Sequence, residues 1–146
     1  MKNTVYRVGL LLLGFVPLAV GHLVQYGVLT DQYRYYLRLP GYALLVVWFL
    51  FALLGSKYLK SIKQTMICLN AVAFLVLLLF CVQDMILDTD WSNPLGSNTL
   101  LFYSPLTLAF SLSSRWHHIF VMCKAFALLI LASLLGCKIQ KKYGNR

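Results

Sequence analysis

The chain has 146 residues, with thirteen basic side chains, four acidic ones, a net charge of +9 and 60% hydrophobic residues; its mean hydropathy is +0.75. Only 12% of residues are charged, against about 25% in a soluble domain, so there is more apolar surface than one small core can hide and the surplus must face lipid. The basic residues sit in short clusters beside long apolar runs, where they anchor and orient spans, and this excludes nucleic acid as a partner.

Roughly 20 apolar residues in a helix cross the hydrocarbon core. The stretch between Arg7 and Asp31 carries no Asp, Glu, Lys or Arg; span one is placed at about residues 8–28. Its start resembles a secretory signal, with Lys2 and Arg7, an apolar run and Ala19-Val20-Gly21 as a candidate cleavage site. The apolar pattern nevertheless runs on to Val28, which favours an uncleaved span. Pro17 lies within it between Gly14 and Gly21, so a bend is expected there.

Span two fits between Arg38 and Lys57, at about residues 39–56. Span three follows Lys63, at about 66–87. The last apolar run, from Ala125 to Cys137, is too short alone; extending it back to Trp116 gives span four, about 116–137, and places Lys124 inside it. Ala52 and Ser56 on span two, and Ala132 and Gly136 on span four, have the small-xxx-small spacing that lets helix backbones approach closely. The whole chain, 1–146, reads as a single integral membrane domain.

The segment between spans three and four lacks charge from Trp91 to Ser114, yet contains Pro94, Gly96 and Pro105. Its compact apolar part is about half a span. It reads as a turn after Asp90, then an outer amphipathic segment at about 99–113, interfacial or re-entrant. The expected fold is therefore all-α, a four-helix transmembrane bundle with this segment between helices three and four.

The positive-inside rule orients the bundle. Nine basic residues fall on one side: Lys2, Arg7, Lys57, Lys60, Lys63, Lys138, Lys141, Lys142 and Arg146. Arg34, Arg38 and Arg115 fall on the other, which makes both termini cytoplasmic. No Glu occurs, and Asp31, Asp84, Asp88 and Asp90 all lie on or near the outer face. Tyr26, Tyr33, Tyr35, Tyr36, Trp91, Tyr103 and Trp116 fit an outer aromatic belt, and Tyr6, Tyr58 and Tyr143 an inner one.

An ionisable group within a span usually faces the bundle interior or water. Lys124 lies eight residues below Trp116, or about 12 Å. Helical side chains lean toward their own N-terminus, so Lys124 leans outward and Asp84, on the antiparallel span three, leans inward. The two are expected to pair or share a ligand-binding pocket. His117 shares the face of Lys124, Cys81 and Asp88 flank Asp84, and His22 and Gln25 share a face near the outer end of span one. Asn70 continues the Asp84 face toward the cytoplasm. The plainer reading is that Lys124 snorkels to the interface and that His22 and Gln25 make interhelical hydrogen bonds.

Other motifs are weaker. Asp88-Thr89-Asp90 has the DxD form but reads as a solvated turn. His117 and His118 diverge by about 100° on a helix and do not share a metal. Cys68, Cys81, Cys123 and Cys137 form no CxxC and read as apolar packing residues, with a Cys81–Cys123 pair as a minor alternative. No GxSxG, metal-ligand or cofactor motif is present, so no catalytic residue, metal or cofactor is assigned. The leading expectation is a non-enzymatic accessory, immunity or stress module of the bacterial cell membrane, acting through helix contacts with another membrane protein or a second copy. The alternative is a small transporter or lipid-handling protein built on the Lys124–Asp84 pocket. An enzyme ranks third.

Overall fold

The computed structural model describes residues 2–29, 38–84, 94–110 and 118–143. They form six helical segments: α1 (Lys2–Leu13), α2 (Val16–Leu29), α3 (Leu39–Leu59), α4 (Ile62–Val82), α5 (Pro94–Ala109) and α6 (His118–Tyr143). Four stretches are long and apolar enough to cross a membrane: Asn3–Tyr26, which joins α1 and α2, then α3, α4 and α6. At most 39% of any of these is buried inside the bundle, so the remaining apolar surface is left to lipid. The chain is a small, multi-span, all-α integral membrane protein.

Span one breaks where Pro17 stands. Pro17 has no N–H for the Leu13 carbonyl, and residues 14 and 15 form a turn between α1 and α2. The Gly14 N–H donates to both Leu10 O and Leu11 O at 3.1 Å, which holds the turn closed.

Spans one, two and four run somewhat longer than expected, while α4 is shifted toward the N-terminus and ends at Val82, residues 85–87 lying outside the described ones. α3 continues past Ser56 to Leu59, with Lys57 in its last turn, where a cation suits the negative end of the helix dipole. Lys60 then closes it in the left-handed region at φ 53°. Ser61 caps α4: its hydroxyl accepts the Gln64 N–H at 3.4 Å, the Ser-x-x-Gln spacing of a capping box. The helix therefore starts four residues before Met66. α6 begins at His118 and runs six residues past Cys137, carrying Lys138, Lys141 and Lys142 out on the helix.

α3 and α6 form the most extensive seam. A Cβ added at Gly136 would sit 2.5 Å from the Phe49 carbonyl and 3.1 Å from the Ala52 Cβ. Ala52, Ser56, Ala132 and Gly136 are all buried, so the small-residue spacing does mark a packed face. Beside it the Cys137 thiol donates to Ala52 O at 3.7 Å.

The segment between spans three and four becomes helical earlier than expected. α5 is helical from Pro94, through Gly96 and Asn98, where a turn would suit those residue types. Proline is well tolerated at a first helical position, and packing overrides the weak propensity of the rest. The helix is also enclosed on several sides: Thr99, Leu101, Phe102, Tyr103, Leu106 and Ala109 are buried. It packs against α2, α3, α4 and α6. The expected turn at 90–93 and the end of the segment at 111–113 lie outside the described residues.

Candidate functional site

Two groups of polar residues are candidates for function: the outer-end set singled out from the sequence, and a buried set at mid-span.

Of the outer-end set, Cys81 lies within electrostatic reach of Asp84 and of Cys123. Lys124 is exposed, on the same stripe of α6 as Ala127, Leu131 and Leu135. The opposite stripe, with Ala125, Leu129, Ala132 and Gly136, packs inward. Small residues select that inward face because only they admit a close backbone, and Lys124, one position from Ala125, is turned about 100° away. Its long apolar stem suits a lipid-facing position with the ammonium at the interface. Asp84 is half-buried, just beyond the end of α4. No ion pair joins it to Lys124 among the described residues. His22 and Gln25 are exposed on α2. Cys81 is half-buried and Cys123 exposed, both as free thiols. Asp88 and His117 lie outside the described residues. Among those described, no three His, Cys, Asp or Glu side chains converge as metal ligands.

The buried set is a hydrogen-bonded knot across three helices. Trp48 on α3 donates its indole N–H to Asn70 Oδ1 at 3.2 Å. The Asn70 amide donates to Ser133 Oγ on α6 at 3.1 Å and to Met66 O, one turn back in α4, at 3.0 Å. The Ser133 hydroxyl lies 2.8 Å from Leu129 O, to which it donates. All three residues are at most 4% exposed. Counted from the basic end of each helix, they lie about 12–17 Å into the bundle. Unpaired polar groups are costly in that environment, so their mutual pairing fixes the rotation of α3, α4 and α6 about one another. Asn70 was visible in the sequence as an isolated amide in an apolar span, but placed on the Asp84 face. Trp48 and Ser133 were missed, and the available signal was that both are hydrogen-bonding side chains near mid-span.

α5 is tied in by the same chemistry. Tyr103, fully buried, donates its hydroxyl to Ala73 O on α4 at 2.6 Å. The Thr99 hydroxyl donates to buried Gln83 Oε1 at 3.2 Å, and the Tyr42 hydroxyl to Ala109 O at 3.0 Å. No buried side-chain N or O atom among the described residues lacks a hydrogen-bond partner. The polar interior is thus engaged in joining helices.

Replacing Asn70 with Ala removes two interhelical bonds and leaves the Trp48 N–H buried. With such bonds worth about 0.6 kcal/mol on average and up to about 1.7, a loss of about 1–2 kcal/mol is expected. Unfolding of the purified protein by dodecyl sulfate in mixed micelles measures it, and an unchanged midpoint would show the knot to be incidental.

No protein-family model, curated protein or solved structure matches the chain, so any reading of its function rests on the chemistry and packing of its own residues.

Proposed function

We propose that this protein is a non-enzymatic membrane module, of the accessory, immunity or stress type, which acts through lateral helix contacts with another membrane protein or a second copy. The observation that carries this reading is the division between interior and surface. The interior polar side chains among the described residues bond to one another or to backbone, an arrangement that holds helices together. The outward faces of the spans are apolar and broadly exposed, which suits contacts within the bilayer. In this reading both termini lie in the cytoplasm and the membrane is the bacterial cell membrane.

The transporter or lipid-handling alternative requires Lys124 and Asp84 to act together, with His117, His22, Gln25, Cys81 and Asp88 around them. The exposed position of Lys124 makes it the weaker of the two.

Photo-crosslinking residues placed at Leu75 on α4 and Leu131 on α6, both exposed, test the module reading in native membranes. A discrete crosslinked product, either a second copy or one stoichiometric membrane protein, is expected. A protein that yields only lipid adducts, purifies as a lone monomer and turns over a substrate would overturn it.

A further inference from the structure

One end of the bundle combines a lipid-facing groove with a concentration of positive charge. The groove runs between α1 and α3, with a volume of about 350 Å³ and a lining that includes Tyr6, Gly9, Leu13, Phe51, Leu54 and Tyr58. From Tyr6 to Leu13 it extends about 10 Å along the helix axis. Gly9 borders open space: a Cβ added there would meet nothing within 4 Å. At its end the rings of Tyr6 and Tyr58 stack with centroids 4.7 Å apart. This is also the end where Arg7 follows Tyr6 and Lys57 precedes Tyr58, with Lys60 and Lys63 in the adjoining turn, all four exposed. Among the described residues no acidic side chain opposes them, because α1, α3, α4 and α6 contain no Asp or Glu.

We infer that this groove is a binding site for an anionic phospholipid, with one acyl chain lying between α1 and α3 and the phosphate held by Arg7, Lys57, Lys60 and Lys63. Charge complementarity selects the occupant. Basic clusters at the cytoplasmic ends of spans attract anionic headgroups, and tyrosines favour the headgroup level between apolar and wet surroundings. A second copy docking here in the same orientation would set two uncompensated basic ends side by side. A neutral lipid would fill the groove but leave the cations without a partner. This site is at the opposite end of the bundle from Lys124 and Asp84, and it does not depend on whether the protein has a protein partner.

The test uses the full-length protein in a neutral detergent, with phosphatidylglycerol or phosphatidylcholine of identical acyl chains added, or glycerol 3-phosphate alone. Phosphatidylglycerol is expected to raise the melting temperature by about 5 °C, an effect that fades in high salt; the neutral lipid and the chain-free phosphate should leave it nearly unchanged. Gly9→Leu and Leu54→Trp fill the groove and should abolish the shift, and the combined Lys57→Gln, Lys60→Gln and Lys63→Gln variant should erase the preference for the anionic lipid. Circular dichroism checks that each variant folds. Native mass spectrometry of the unaltered protein with an equimolar mixture of the two lipids should show one retained phosphatidylglycerol. Equal stabilisation by both lipids, equal retention of both, a shift produced by the chain-free phosphate, or a shift that survives in folded groove-filling variants would each overturn the inference.

Discussion

Gly136→Leu is expected to be severely destabilising, by about 3 kcal/mol, at the upper end of the range for overpacking a well-packed interior. The reason lies in what surrounds the missing side chain. The nearest atoms to an added Cβ are the Phe49 carbonyl at 2.5 Å, the Ala52 Cβ at 3.1 Å and the Leu53 backbone nitrogen at 3.1 Å. None is the movable end of a flexible chain, so α6 has to withdraw from α3. That withdrawal would also stretch the Cys137–Ala52 contact and pull Ser133 from Asn70. Dodecyl sulfate unfolding should show a large fall in midpoint, and Gly136→Ala a smaller fall in the same direction. Adding Ala52→Gly should recover little, because the Phe49 carbonyl remains. A wild-type midpoint for Gly136→Leu would mean that α3 and α6 do not pack through this face.

Gly21→Leu is expected to act on α5 instead, at about 2–3 kcal/mol and with a local signature. Pro105 has no N–H, so the Leu101 carbonyl one turn earlier loses its helical partner and accepts the Ser104 hydroxyl at 3.0 Å instead. That same carbonyl lies directly against Gly21 on α2, where any Cβ would collide with it. A leucine there forces α5 off α2. Hydrogen exchange should quicken across residues 94–109, while α3, α4 and α6 keep their protection. Uniform loss of protection over all helices would show that α5 is required for the bundle to fold; no change would show that α5 does not rest on α2.

Pro17 announced the break between α1 and α2 because a missing N–H acts locally. The spacing of Ala52 and Ser56, and of Ala132 and Gly136, marked a packing face on each helix because small size is itself the packing signal in lipid, but not that these two faces meet. Lys124 is exposed, for a related reason. Its charge suggested an inward face, but its immediate neighbour Ala125 has the stronger demand for close contact. The knot of Trp48, Asn70 and Ser133 could not be assembled from spacing within any single helix, since each helix contributes one member.

Charge and hydropathy, acting along the chain, were enough to establish four spans, their approximate limits and a basic end free of acidic residues. Hydrophobicity cannot distinguish lipid from protein interior, however. In a soluble helix the apolar stripe shows which face is buried; here Leu131, exposed, and Leu129, fully buried, lie two positions apart in the same apolar run. The rotation of each helix, the enclosure of α5 and the outward turn of Lys124 were therefore settled by contacts between helices, through small residues that let backbones meet and polar groups that had to find one another away from water.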